Sequence, residues 1–576
     1  MLGKNVSRVW RNCALLTVLA SGSVAVCTAY AQEPRSTRPN ILLIISDDIG
    51  IDVTTDMYPG LIENLVEQYG PSGNNHPDYE RIQGRPASTP NLNALAQSGM
   101  RFTQMWVQPF CANTRASLIT GLYPAKTGVI DYTYWLSQNQ HSFVQDLKDE
   151  GGYSTAVFGK WHIAGLAPYQ GMRPREAGFD LFQGNLNGGV ATYWDWDYHV
   201  QDADTPPDMW RTEPAPERSL PGVAPTTYAP VVKIADTLNW IKDQEQADPD
   251  KPWFAWLAFN LSHITGQQQP NPMAVPNIDT LNEPSRAEME ACGGTFGSAI
   301  VGECTDKELM RAMTNSMDTL LGILLQEVDA IGEDTYIIYM GDNGTWMFGQ
   351  NREFIDNMYI TSFDRGKGTA YESGARVGMA IRGPGIEAGS VSDVPVAGSD
   401  LYSTILNMAG LDAPQQVPNK DGTGMVDLDA VSFLPVLLNG VTQIRDPNVD
   451  YLLTETTNPV KANVAEAAAR NEQYKVICVE NTQTPACTFF DLAADPLEEY
   501  PLAKPGDCAN FTNGTWSPAA ENWHFCHLQA VLTQDSFLLQ PREAPAGRGG
   551  RRGAGGRGAG VGGARGRGPA PAAGAN

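Results

Sequence analysis

The amino-acid sequence predicts an α/β protein, with a central, mostly parallel sheet flanked by helices and a small antiparallel sheet near the C-terminus. Apolar stretches at 40–46, 253–259 and 335–340 are typical of strands buried on both faces. A long amphipathic helix is predicted over Asp306–Ile331, where leucines and methionines recur at helical spacing. From about residue 450, short strands separated by turns predict the antiparallel sheet.

Length and charge limit the functions that the chain can have. It has 576 residues, of which 42% are hydrophobic, and a formal net charge of −25. This length supports a large core and exceeds that of one simple domain. Because the body of the chain has no basic face for nucleic acid, we expect no nucleic-acid partner. An anionic substrate would have to be bound by local positive charge.

The two ends of the chain differ from its body. A basic start, a short apolar run over 13–26 and the cleavage motif Ala29-Tyr30-Ala31 predict a secretory signal peptide. The apolar run is too short to span a membrane, so we expect an exported chain, periplasmic or secreted, without a transmembrane segment. The predicted domains are a signal peptide (1–31), a catalytic α/β domain (32–449), an α+β subdomain (450–540) and a disordered Gly/Arg/Ala-rich tail (541–576).

Six cysteines outside the signal peptide fall into local pairs. Short spacing in an exported chain favours the disulfides Cys292–Cys304, Cys478–Cys487 and Cys508–Cys526, although spacing alone does not fix the connectivity. Cys111 is left without a nearby partner.

Oxygen-bearing side chains follow two of the predicted buried strands. Asp47 and Asp48 end the first strand, and Asp342 and Asn343 follow the strand over 335–340. In α/β folds, ligands bind at the carboxyl ends of the strands. Three carboxylates and an amide oxygen suit a hard divalent cation, so we expect one Ca²⁺, with Mg²⁺ as the alternative. A solvated turn is the simpler interpretation of Asp47-Asp48, but the recurrence of the pattern at Asp342-Asn343 favours a metal site.

Cys111 begins a short predicted helix that ends at Gly121, and Arg115 lies one helical turn further on. A helix N-terminus beside a sulfur and a guanidinium can bind an anion. We expect the Cys111 side chain to face the metal site within reach of Arg115 and Lys160, in surroundings that lower the thiol pKa. The alternative is a buried cysteine near a surface arginine.

Further candidates lie along the chain. Lys160 and His162 follow a strand over 154–158 and would share one side of an extended backbone, where they could hold an anion and donate a proton. Lys367 lies in a loop flanked by glycines. The aromatic segment 193–198 either lines a substrate cleft or packs on the core.

These blocks together resemble type I sulfatases of the alkaline-phosphatase superfamily. The signature around Cys111-Ala112-Asn113-Thr114-Arg115 is similar to the family motif in which a cysteine is oxidised to formylglycine. The resemblance implies metal ligation by Asp47, Asp48, Cys111, Asp342 and Asn343. It implies catalytic roles for Cys111, Arg115, Lys160, His162, His263 and Lys367, with His263 the weaker match because no proline follows it. Asn113 departs from the family's usual proline, which the maturation enzymes read.

The resemblance also implies a mechanism and partners. One hydroxyl of the hydrated aldehyde would attack sulfur, and the other would allow the sulfate to be released. His263 or Lys367 could protonate the leaving oxygen, and His162 could take the second proton. Arg115, Lys160 and Lys367 would offset the charge on the sulfate. The expected partners are a sulfated small molecule or carbohydrate and, during maturation, a formylglycine-generating enzyme.

Two other functions stay open. The first is hydrolysis of phosphodiesters or phosphonate monoesters, because enzymes of the same superfamily share this metal site. The second is anion binding without catalysis, which would follow if Asn113 prevents the maturation of Cys111.

Overall fold

The computed structural model describes residues 38–83, 85–167, 170–265, 273–332, 334–346, 358–361, 365–459, 464–480 and 486–536. The predicted signal peptide and C-terminal tail lie outside these ranges. In the described part of the chain, none of the helices combines the length and the hydropathy needed to cross a bilayer.

A mixed sheet of eleven strands, counted within the described residues, forms the centre of the molecule. Five neighbouring strands are parallel, and the strands on either side of this block include antiparallel ones, as the sequence predicts for a mostly parallel sheet. Across the sheet the strands are Ser390–Ser392, Met100–Trp106, Arg376–Arg382, Thr335–Gly341, Asn40–Ser46, Trp253–Ala258, Ser154–Lys160, Leu181–Asn185, Asp197–Gln201 and Arg211–Pro214, with Val396–Ala397 paired to Met100–Trp106.

Side chains of the central strand alternate between two hydrophobic cores, as the pleat of a strand requires. Leu42 and Ile44 pack on one face of the sheet, and Leu43 and Ile45 pack on the other. Helices cover both faces, so the central strands are buried on both sides. The helices are Leu61–Tyr69, Pro90–Gln97, Cys111–Thr120, Pro124–Thr127, Phe143–Asp149, Ala229–Ala247, Glu283–Ala291, Asp306–Ile331, Glu372–Ala375, Leu401–Met408, Leu434–Asn439, Ala509–Thr512 and Glu521–Asp535.

The C-terminal part forms a separate antiparallel sheet. Its strands are Leu452–Asn458, Val464–Arg470, Tyr474–Val479 and Ala486–Asp491. The strand Val464–Arg470 was not predicted from the sequence, because its alanines and charged residues have low strand propensity. Two short hairpins complete the described strands: Arg218–Leu220 with Val223–Thr226, and Gln416–Pro418 with Met425–Asp427.

The three expected disulfides are confirmed. Their Cα–Cα distances are 4.8 Å for Cys292–Cys304, 4.0 Å for Cys478–Cys487 and 5.7 Å for Cys508–Cys526. Each bridge joins residues close in sequence, so none of the three links the large sheet to the C-terminal sheet.

Buried charges link the two sheets instead. Lys475, on the C-terminal sheet, places its Nζ 2.9 Å from Glu372 Oε1 and 2.8 Å from Glu498 Oε1. Glu372 also pairs with Arg470 at 3.3 Å, and all four side chains are buried. Glu372 follows the loop that carries Lys367, so this network fixes the C-terminal sheet against one edge of the site described next.

Candidate active site

Two neighbouring strands deliver the acidic residues to one place. Asn40–Ser46 and Thr335–Gly341 are parallel and in register, with Ser46 opposite Gly341. The Asp342 amide donates to the Ser46 carbonyl at 3.0 Å, and the Asp48 amide donates to Asp342 Oδ1 at 3.3 Å. Asp47 and Asp342 therefore lie at the same edge of the sheet, as the sequence predicts.

The acidic cluster leaves oxygen atoms without partners. Ligand atoms of Asp47, Cys111 and Asp342 lie within 4.8 Å of one another, as do those of Asp47, Asp48 and His263. Asp47 Oδ1, Asp48 Oδ2 and Asn343 Oδ1 are buried and have no hydrogen-bond partner. Buried oxygens are normally paired with a donor or a cation. This donor set fits a hard divalent cation.

Two lysines bind the aspartates from either side. Lys160 Nζ lies 2.7 Å from Asp47 Oδ2, and Lys367 Nζ contacts Asp48 Oδ1. Burial raises the pKa of Asp47 to about 7, although Lys160 opposes the shift. Burial would also raise the pKa of Asp48, but Lys367 and His263 outweigh it and lower that pKa to about 2. The site thus holds cations and carboxylates in close contact.

Cys111 begins the helix Cys111–Thr120 and is 1% exposed. Its sulfur lies 3.1 Å from His162 Nδ1 and 3.9 Å from Lys367 Nζ. The side chain faces the acidic cluster, as expected; its hydrogen-bond contacts are His162 and Lys367, and Lys160 lies near enough for its charge to act on the thiol. Burial raises the pKa of the thiol, while Lys160 and Lys367 oppose the shift. The expected low thiol pKa depends also on a bound cation and stays a prediction.

Arg115 forms hydrogen bonds to two parts of the site. Its NH2 group donates to Asp342 Oδ2 at 2.8 Å and its Nε donates to the same oxygen at 3.2 Å. Its NH1 group donates to the Lys160 carbonyl at 2.7 Å. Because the side chain is fully buried, the guanidinium holds Asp342 and the end of the strand that carries Lys160 in fixed positions.

His162 reaches the site by a different backbone path from the one expected. Its φ of 65° is left-handed, so the alternation of an extended chain does not place it beside Lys160. A Cβ on Gly188 would lie 2.3 Å from His162 Nε2, so the ring packs directly against a position that needs glycine. Burial and Lys160 lower the His162 pKa well below its ordinary value, which favours a neutral imidazole.

His263 faces the cluster from the turn that follows strand Trp253–Ala258. Its Nδ1 lies 2.6 Å from the Ile264 carbonyl, and its Nε2 lies 3.9 Å from Asp48 Oδ2. The first contact places the ring proton on Nδ1 and leaves Nε2 facing the site. Burial lowers the pKa of His263 to about 3, although Asp48 opposes the shift.

Asn113 lies on the opposite side of the helix from the reacting groups. Its Nδ2 donates to the Glu455 carbonyl at 3.3 Å, and its buried Oδ1 has no partner. The residue that departs from the family motif therefore contacts the C-terminal sheet rather than the acidic cluster.

A cavity of about 250 Å³ opens over the sulfur. Its wall combines the catalytic candidates with aromatic rings and a glycine pair: Phe110, Cys111, Tyr132, His162, Gly188, Gly189, His263, Ile264, Trp346 and Lys367. A second cavity of about 410 Å³ shares Gly189, His263 and Ile264 with the first. The sulfur thus lies at the base of a cleft large enough for a small ligand.

Several residues that support the site were not among those predicted from the sequence. Tyr193 contacts the turn that carries His263, and Lys233 contacts Asn185 and Asn260. A lysine on the apolar face of the helix Ala229–Ala247 was the available signal, because buried lysines are rare without a partner. The aromatic segment 193–198 has both of the roles that were expected as alternatives. Tyr193 packs in the core, and Trp196 lines the second cavity.

Comparison with known proteins identifies the family. The family model described as Sulfatase matches residues 39–411. N-acetylgalactosamine-6-sulfatase of Canis lupus familiaris is 26% identical, over 86% of this chain and 85% of that protein. The ulvan-active sulfatase of Formosa agariphila is 25% identical, over 81% of this chain and 78% of that protein.

A solved structure shows the same fold. The structure of BT4656 in complex with D-glucosamine-2-N,6-O-disulfate has a TM-score of 0.57 and 18% identity, covering 86% of this chain and 97% of that one. The predicted fold class and the resemblance to sulfatases are both confirmed. The chain belongs to the sulfatase family and is an enzyme that hydrolyses sulfate esters.

Proposed function

We propose that this sulfatase removes sulfate from a sulfated carbohydrate, with the residues around Cys111 as its catalytic centre. The observation that carries the proposal is the convergence of Cys111 with three unpartnered buried oxygens and two buried lysines at the base of one cavity. Anionic sulfate needs positive charge nearby, and the net charge of −25 makes local lysines and a cation the source of it.

Asp47, Asp48, Asp342 and Asn343 would hold one divalent cation, most suitably Ca²⁺, with the oxidised Cys111 beside it. A bound Ca²⁺ supplies Lewis-acid polarisation of a sulfate oxygen and favours the ionised nucleophile. Arg115 keeps Asp342 in place for this purpose, and Lys160 and Lys367 balance the remaining negative charge.

Oxidation of Cys111 to formylglycine provides the nucleophile. The hydrated aldehyde supplies two hydroxyls on one carbon, one for attack on sulfur and one for release of the sulfate. Neutral His162, 3.1 Å from the Cys111 sulfur, is placed to accept a proton from this position.

His263 and Lys367 remain the two candidates for protonating the leaving oxygen. Both line the cavity over Cys111, and the Nε2 atom of His263 faces the cluster. An anionic ester entering the cavity favours the imidazolium form of His263, because a nearby negative charge stabilises the protonated ring. Lys367 contacts Asp48, which holds its ammonium group close to the sulfate position.

The relatives support a carbohydrate substrate. Two of them are named for N-acetylgalactosamine and ulvan, and the solved structure contains D-glucosamine-2-N,6-O-disulfate. The two adjoining cavities leave room for the alcohol side of such an ester. We also propose export after cleavage before Gln32, maturation by a formylglycine-generating enzyme, and the domain limits given above. N-terminal sequencing of the secreted chain tests the cleavage site.

The direct test is sulfate release by protein made together with a formylglycine-generating enzyme. The substrates are N-acetylgalactosamine 6-sulfate, D-glucosamine-2-N,6-O-disulfate, 4-nitrophenyl sulfate and bis(4-nitrophenyl) phosphate. We expect Cys111→Ala to be inactive and Cys111→Ser to retain a covalent sulfate, since a serine ester lacks the second hydroxyl. Turnover by Cys111→Ala at the wild-type rate would contradict the proposal, and a preference for the phosphodiester would favour the phosphodiesterase alternative.

A further inference from the structure

Tyr193 lies beneath the turn that carries His263. Its hydroxyl oxygen lies 2.8 Å from the Asn260 carbonyl oxygen and 2.7 Å from the His263 carbonyl oxygen. Both carbonyls can only accept, so a single O–H is shared between the first and last residues of the turn. The side chain is fully buried, and water does not replace this donor.

The middle of the same turn is hydrogen-bonded to Asp47, which follows the strand Asn40–Ser46. The Ser262 amide donates to the Asp47 carbonyl at 2.7 Å, and the Asp47 amide donates to the Leu261 carbonyl at 3.0 Å. The His263 amide also donates to the Asn260 carbonyl at 2.8 Å, so these bonds fix the turn as far as His263, and the Tyr193 hydroxyl binds the carbonyl at its end. His263 Nδ1 donates to the Ile264 carbonyl, which belongs to the peptide after the one that Tyr193 binds, so both contacts hold the backbone that carries the ring. The contact with Tyr193 therefore contributes to the direction of the ring.

Lys233 connects this turn to the other histidine. Its ammonium group contacts Asn260 Oδ1 and lies 3.2 Å from Asn185 Oδ1. The Asn185 carbonyl accepts from the Trp161 amide at 3.0 Å, and the Leu186 carbonyl accepts from the His162 amide at 3.0 Å. A buried polar group outside the family motifs thus holds both histidine segments.

We propose that Tyr193 is a positioning residue that aims His263 Nε2 at the leaving-group oxygen. The inference rests on the proposed function, in which His263 protonates that oxygen. A sugar alkoxide needs this proton, whereas a nitrophenolate leaves as a stable anion. Loss of the Tyr193 hydroxyl should therefore affect the two classes of ester unequally, which a general loss of structure would not do.

The test compares Tyr193→Phe with wild type on a sugar sulfate and on 4-nitrophenyl sulfate. We expect kcat for the sugar sulfate to fall roughly 10- to 100-fold, because a misdirected general acid loses only part of the roughly 100- to 10,000-fold that such catalysis contributes, and kcat for the nitrophenyl ester to fall less than about 3-fold. Tyr228→Phe is the matched control. Tyr228 is also buried, the centroids of the two tyrosine rings are 5.8 Å apart, and its hydroxyl oxygen lies 3.4 Å from Ser316 Oγ. The kcat values of Tyr228→Phe on both esters should equal those of wild type.

A double-mutant cycle tests whether Tyr193 acts through His263. His263→Ala should show the same unequal loss, and adding Tyr193→Phe to it should cause no further change in the ratio of the two rates. The proposal would be overturned if Tyr193→Phe lost activity equally on both esters. It would also be overturned if the ratio of the two rates changed further in the double variant.

A second variant covers the case in which Tyr193→Phe does not fold. Lys233→Met removes the contacts with Asn185 and Asn260, so it should lower both rates through the His162 segment and lower the rate on the sugar sulfate by more. Equal losses on both esters would again overturn the proposal. If wild type releases no sulfate from any ester, the proposed function fails instead, and the two failures are thereby distinguished.

Discussion

Replacing Asn113 with proline tests how far this departure from the family motif limits the enzyme. Asn113 is the third residue of the helix Cys111–Thr120. The amide hydrogens of the first turn have no intrahelical acceptor, so proline at this position breaks no helical hydrogen bond. The variant restores the residue that the family's maturation enzymes read.

The expected change in stability is small. Loss of the 3.3 Å hydrogen bond to Glu455 costs about 1 kcal/mol. Removing the buried, unpartnered Oδ1 recovers a similar amount. Proline stabilises by about 0.4–1 kcal/mol through the unfolded state, and its restriction of Ala112 offsets part of that gain. The free energy of unfolding should therefore stay within about 1 kcal/mol of wild type.

The assay is mass spectrometry of the tryptic peptide over 102–115, together with sulfatase activity per mole of protein. We expect the formylglycine fraction and the activity of Asn113→Pro to rise in proportion. Asn113→Leu is the control, because it removes the same amide without restoring the motif, and it should gain neither. Complete conversion of Cys111 in wild type, or no rise in Asn113→Pro, would refute the idea that this residue limits maturation.

Three further predictions concern metal, pH and buried charge. Ca²⁺ added to chelator-treated protein should raise Tm, by the equivalent of about 2.7 kcal/mol at 100 Kd, and Asp342→Asn should lose that shift in scanning fluorimetry. Burial raises the pKa of Asp52 from 3.8 to about 7, so the unfolded state loses this proton first and the free energy of unfolding should fall by roughly 4 kcal/mol between about pH 4 and pH 7. In urea denaturation Asp52→Asn should remove that fall, whereas Asp78→Asn, at an exposed carboxyl, should follow wild type; equal slopes in all three would contradict the assignment. Lys475→Met leaves two buried glutamates without their shared cation and should cost about 3–5 kcal/mol in the same assay, against at most about 1 kcal/mol for Lys148→Met, whose ion pair is exposed.

Strand and helix positions with strong patterns could be predicted from the sequence. The helix Asp306–Ile331 has the predicted bounds, and the buried strand that ends before Asp47 lies beside the strand that ends before Asp342. In both cases local hydrophobic periodicity and tertiary packing favour the same structure. The contact between the two acidic pairs follows because both strands are parallel and adjacent.

The supporting contacts could not be predicted in the same way. His162 has a left-handed backbone, and its ring packs against Gly188, which lies in another segment of the chain. Tyr193 and Lys233 are held near His263 by tertiary structure rather than by a local pattern. At Cys111 the sequence shows the nearby charges but does not show the depth of burial, which raises the pKa of the thiol against them.

The burial of the helix Cys111–Thr120 constrains the order in which Cys111 is modified and the chain folds. All ten of its residues are buried, and its side chains pack between the large sheet and neighbouring helices. A modifying enzyme has to bind the residues around Cys111 in its own cleft, and the folded chain does not present them. If Cys111 is oxidised as we propose, the oxidation therefore has to precede closure of the fold, and the maturation enzyme would compete with folding for the newly made chain. A chain that folds with an unmodified thiol at Cys111 would then stay inactive, because the modifying enzyme no longer reaches that residue.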